Sequence, residues 1–122
     1  MEAVEEILQL HGYHSVDDMN IGAMIEVEGG PGFMPLVVEK VGDRRVSVAH
    51  YYTQMGDLMA DPDIVFHVSR TGEWIPIEYT QHPHVYQHDE TGLPGATKFA
   101  ETWDRNLRRQ GYVAAAQQGG AR

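Results

Sequence analysis

Arg45-Val46-Ser47-Val48-Ala49-His50-Tyr51-Tyr52, followed by Ile64-Val65-Phe66-His67-Val68-Ser69-Arg70 and Glu73-Trp74-Ile75-Pro76-Ile77-Glu78-Tyr79-Thr80, is the stretch that decides the fold. Each run is rich in β-branched and aromatic residues, and the apolar positions recur at every second residue, the period of a strand with one buried face. Val46, Val48 and His50 share a face, as do Ile64, Phe66 and Val68, and as do Ile75, Ile77 and Tyr79. These faces are predicted to meet the core, leaving Trp74 opposite Ile75 and Ile77. Thr71-Gly72 separates the last two runs as a tight turn would.

Upstream, Ala23 to Glu28 and Phe33 to Val41 have the same character, divided by Gly29-Gly30-Pro31-Gly32, and Gly42-Asp43 precedes the third run. A weaker sixth strand is predicted over His84 to His88. The connections are too short for helical crossovers, so the strands are predicted to form an antiparallel meander. Pro35 and Pro76 cannot donate to a ladder and belong at a strand start, an edge or a bulge.

Helical spacing brackets this region. Val4, Ile7, Leu8 and His11 form an apolar stripe over Glu2 to His11, with acids in the first turn and Gly12 beyond the last. After Pro94, the residues Ala96, Phe99, Ala100, Trp103 and Leu107 form a second stripe, with Glu101–Arg105 and Asp104–Arg108 as i,i+4 pairs and Gly111 as the stop. The predicted fold is therefore α+β: a five- or six-stranded antiparallel sheet flanked by an N-terminal and a C-terminal helix. Residues 1–113 are assigned to one domain, and residues 114–122, small and polar, to a disordered tail.

The chain has 122 residues, of which 18 are acidic and 9 basic, for a net charge of −9. The whole excess falls within residues 1–68, where the basic side chains are Lys40, Arg44 and Arg45. Such a field repels phosphate backbones, so direct nucleic-acid binding is not expected. Cysteine is absent, which removes disulfide, thiolate and Cys-ligated metal chemistry. The N-terminus is acidic where a secretory signal is basic, and no apolar run approaches a membrane span, so a cytoplasmic protein with no membrane contact is expected.

Hydrolase elbows, zinc-protease pairs, phosphate loops and dinucleotide fingerprints are missing, and no catalytic residue or cofactor is assigned. The segment Gln54 to Asp63 is read as a loop joining the third and fourth strands, in which Asp57, Asp61 and Asp63 would hold a hard divalent cation or present an acidic patch to a basic partner. The alternative for these aspartates is structural, with Asp57 capping a short turn and Asp61 opening a turn at Pro62. Tyr51 and Tyr52 are adjacent, so one points away from the core, and Trp74 either supplies a further surface aromatic or lies beneath a helix. Seven histidines raise a metal alternative. His82 and His84 would share one side of an extended segment beside His88, and His50 is placed on the core face, where its pKa would shift. No metal ligand is assigned.

The run Gly56-Asp57-Leu58-Met59-Ala60-Asp61-Pro62-Asp63, with Phe66, Trp74-Ile75-Pro76, Phe99-Ala100-Glu101-Thr102-Trp103, Asn106-Leu107 and Gln110-Gly111-Tyr112, resembles an uncharacterised family of small bacterial proteins associated with plasmids, phages and conjugative elements. Asp63 stands where that family is expected to have glutamate. The resemblance implies an accessory protein of mobile DNA and carries over no catalytic residue. The expectation is a noncatalytic acidic binding protein whose Asp57, Asp61, Asp63, Tyr51, Tyr52 and Trp74 engage a protein partner with a basic surface. In its sharper form it inhibits or regulates a host nucleic-acid-binding or defence complex. A small metal-binding domain or metal-dependent enzyme using a His/Asp cluster is the alternative. The oligomeric state and the identity of the partner are not legible.

Overall fold

The computed structural model describes residues 1–119. Helix α1 (Glu2–Leu10) and a single 3-10 turn (Val16–Asp18) lead into six strands: β1 (Met24–Val27), β2 (Leu36–Gly42), β3 (Arg45–Gln54), β4 (Asp57–Val68), β5 (Trp74–Gln81) and β6 (Val85–His88). Helices α2 (Pro94–Arg109) and α3 (Tyr112–Gly119) follow. The strands lie in sequence order and every neighbouring pair is antiparallel, a meander that places helices on one face of the sheet only.

The covered face carries the core. Val46, Val48, Ile64 and Phe66 are fully buried, and they meet Val4, Ile7 and Leu8 of α1, Trp103 and Leu107 of α2, and Tyr112 and Ala116 of α3. Helix α3 occupies residues that composition assigns to a disordered tail. Its buried Val113 and Ala116 extend the packed structure through residue 119, and residues 120–122 lie outside the described residues. Small alanines suffice there because Tyr112 and Leu107 fill the space beneath.

The i,i+4 pair expected between Asp104 and Arg108 is replaced by contacts between helices. Asp104 accepts from the backbone N–H groups of Glu2 (3.1 Å) and Ala3 (2.9 Å), two of the unpaired donors at the start of α1. Arg108 pairs with Glu6 at 2.7 Å. Arg105 turns to Thr102 rather than Glu101. The polar face of α2 thus fixes α1, and the apolar stripes do the rest.

Two further polar groups fix the turns. Lys40 is buried on β2, and its ammonium donates to the carbonyl oxygens of Val16 (3.0 Å) and Met19 (2.9 Å), clamping the 3-10 turn to the sheet. The β2–β3 turn places Arg44, rather than the nearby glycine, in the left-handed region (φ 54°). Arg44 Nε donates to Val68 O and one terminal nitrogen to Ser69 O, while the other grips Asp17. These bonds offset the cost of a non-glycine at positive φ. The glycine-rich loop is structural: a Cβ on Gly29 would lie 2.7 Å from the Tyr112 ring, and Gly30 N–H donates to Gln110 O.

The largest departure lies at β4. The segment read as a loop is a strand from Asp57 onward, joined to β3 by Met55-Gly56, both at positive φ (51° and 87°) as a two-residue hairpin turn requires. A register shift opposite Ala49–Tyr51 puts one extra residue into β4 around Asp61-Pro62, and the bulge accommodates a proline that has no N–H to give. A second bulge, opposite Val65–Phe66, accommodates Pro76 in β5. It also reverses the expected facing: Trp74 and Pro76 stand opposite Val68 and Phe66 on the covered side, while Ile75 pairs with His67 on the other.

Candidate functional site

The sheet face away from the helices is uncovered, and strand parity decides what it displays. Ile25, Val27, Val38, Val48 and Ile64 are buried on the helix side, so Glu26, Glu39, Ser47, Ala49 and Asp63 project the other way. Register aligns one row as Met24, Glu39, Ser47, Val65, Glu78 and His88, and the next as Glu26, Val37, Ala49, Asp63, Thr80 and Tyr86. Ser47 and Ala49 are small and sit between longer neighbours. A shallow trough of about 400 Å³ therefore runs along β3, walled by Glu39, Val41, Arg45, Asp63, Val65 and Glu78 and ended by Tyr51.

Asp63 is held in place. Its Oδ1 accepts from Ser47 Oγ at 2.6 Å and its Oδ2 from Tyr51 Oη at 3.1 Å. Burial, followed by the neighbouring Asp63 charge, pushes the Tyr51 hydroxyl up to about 12, so it stays a donor across the ordinary pH range. The basic residue of this face, Arg45, is already committed to Glu90 through both terminal nitrogens. That contact and the His88 ring hold the Glu90 carboxyl down at about 2. The carboxylates Glu26, Glu39, Asp63 and Glu78 face solvent and form no ion pair among the described residues. Chemically, the face offers carboxylate acceptors and a phenol ring to a cationic surface.

Of the six residues singled out in sequence, the structure brings Tyr51 and Asp63 together on this face. Tyr52 pairs with Met59 and points to the other side. Asp57 is exposed beside the hairpin turn, next to Met55 and Leu58, which are 97% and 65% exposed. Asp61, in the bulge, accepts from Gln81 Nε2 at 2.9 Å, and Gln81 in turn accepts from Tyr79, a residue opposite core Ile64. Trp74 is half-buried on the covered side, edge-on to Phe66 with ring centroids 5.5 Å apart. The three aspartates thus do not form one patch. Glu26, Glu39 and Glu78 were missed; their signal was parity, since each alternates with buried residues of its own strand.

The histidines do not assemble. His82-Pro83-His84 is the β5–β6 turn rather than an extended segment, and His82 Nδ1 accepts from Ala60 N–H at 2.7 Å. His88 contacts Glu90. His50 lies in the core between Trp103 and Tyr112, and its Nδ1–H donates to Pro35 O at 3.0 Å. Burial lowers its pKa, with the Pro35 bond and Asp61 opposing. Among the described residues no group of three His, Asp or Glu side chains is placed to hold a metal ion. No helix of the described residues is long and apolar enough to cross a membrane.

No curated protein and no solved structure matches the chain. A family does match, over residues 2–113, so it takes in the meander, helices α1 and α2 and every residue of the open face. On that match the chain belongs to the family described as Domain of unknown function (DUF6908).

Proposed function

We propose that this protein is a noncatalytic acidic binding protein that engages a protein partner through the uncovered face of its sheet. The supporting observation is the trough along β3, where Glu39, Asp63 and Glu78 stand near Tyr51 and the lining cation, Arg45, is paired with Glu90. Carboxylates held on a rigid sheet steer a basic surface into register and fix its orientation, and a tyrosine with its hydroxyl engaged offers flat contact area at low entropic cost. The net charge of −9 adds long-range attraction for the same class of partner and repels nucleic acid. In the cytoplasm, as an accessory protein of a mobile element, its target would be a host nucleic-acid-binding or defence complex, whose DNA channel supplies such a basic surface.

The test is capture of partners from the native host at low ionic strength by the wild-type protein and by the triple variant Glu39→Gln, Asp63→Asn, Glu78→Gln. A basic protein retained by the wild type, released by salt and associating at least tenfold more slowly with the variant is the expected result. Equal association rates at low salt would remove the open face from the interaction.

A further inference from the structure

A second feature lies on the helix side. Where the start of α1, the middle of α2 and the start of β5 meet, a groove of about 640 Å³ opens over Phe66, Trp74, Pro76 and Ala100, with Glu2, Glu5, Glu73 and Glu101 along its rim. Arg105 is the one basic side chain among the residues that line it, and Asp104 is already committed to the first N–H groups of α1. An adjoining depression of about 330 Å³ shares Glu5, Gly72 and Trp74 but is lined by Arg44 and Arg70 as well as Asp17, so the acidic rim belongs to the first groove.

The apolar floor and the strung-out carboxylates have a common complement. No three of these acids converge enough to hold an ion among the described residues, which disfavours a bare cation. A cation on an apolar stem fits both parts: its methylenes lie on the floor while its head reaches the rim. The planar guanidinium suits this best, since it stacks on an indole and pairs with carboxylates through two parallel bonds. We propose that the groove docks an extended, arginine-bearing segment of a protein partner, with Trp74 as the platform. The inference rests on the reading that partners of this chain are basic proteins, but it places a contact on the opposite side from the open face.

The two tryptophans provide the test. A blocked peptide alternating arginine and alanine is titrated into the full-length protein while the indole N–H signals are followed by NMR. The Trp74 signal is expected to move to saturation, and buried Trp103 (5% exposed) to stay. The double variant Glu73→Gln, Glu101→Gln, both on exposed positions, is expected to weaken binding at least fivefold, and a citrulline counterpart of the peptide not to bind. Equal binding of the citrulline peptide, or an unaffected double variant, overturns the proposal. Movement of the Tyr51 and Glu78 amides with Trp74 still overturns it while leaving the open-face function standing. A Trp74 shift that depends on protein concentration alone would identify a second copy as the occupant and overturn it too. Peptide binding at neither face counts against both.

Discussion

The two faces of one sheet are built from the same strands under opposite rules. On the covered face Val46, Val48, Ile64 and Phe66 are sealed by three helices; one residue along each strand, Ser47, Ala49, Asp63 and Val65 meet only their cross-strand neighbours. Alternation alone creates both surfaces, so the side chains of the open face are not needed to hide apolar area and are available for recognition. The contrast predicts a large stability penalty on one side and a large association penalty on the other.

Phe66→Ala should give the largest effect, a loss of about 3–5 kcal/mol in denaturant unfolding, because the ring is fully buried and packs against Trp74. A loss under about 1 kcal/mol would mean the covered face is not the core described above. Lys40→Met comes next. It leaves the Val16 and Met19 carbonyls without their donor, at a cost of roughly 1–3 kcal/mol, and hydrogen exchange should show the 3-10 turn loosening first.

His50 sharpens the comparison through pH. Because burial lowers its pKa in the folded chain, the unfolded chain takes up the proton first as pH falls below the ordinary 6.5, and stability is lost in that direction. Above that value the contribution is fully present. Unfolding midpoints compared at neutral pH and about one unit below the ordinary histidine value should fall more for the wild type than for His50→Gln; parallel curves would show that His50 is not the group responsible. The smallest effect belongs to the open face: Glu39→Gln with Glu78→Gln should shift stability by less than about 0.5 kcal/mol while slowing capture of a basic partner. A stability loss comparable to that of Phe66→Ala would abolish the distinction between the faces.

The meander, the helices and most core positions were legible because hydrophobic period and short glycine-bearing turns are local signals. The strand from Asp57 to Asp63 was not, because Asp, Pro and Gly are turn formers by composition and only pairing with β3 makes an extended bulge the better state. The side on which Trp74 lies was not legible for a related reason: alternation counted across Ile77 ignores the extra residue that the Pro76 bulge inserts. Helix α3 lacks a strong apolar stripe, and what orders it is the Tyr112 anchor, whose hydroxyl donates to Met34 O at the far end of the Gly29–Gly32 loop. Of the open face, Tyr51 and Asp63 were among the residues singled out in sequence. The remainder required a register, which sets which glutamates stand side by side across six strands.

The clamp made by Asp104 and Arg108 on Glu2, Ala3 and Glu6 ties the beginning of the chain to a segment synthesised about a hundred residues later. During synthesis α1 therefore emerges well before the neighbours that cover it, and waits until α2 has followed. The meander can pair strand by strand as it appears, each with its predecessor, whereas closing the helical layer is a single late event joining distant parts of the sequence.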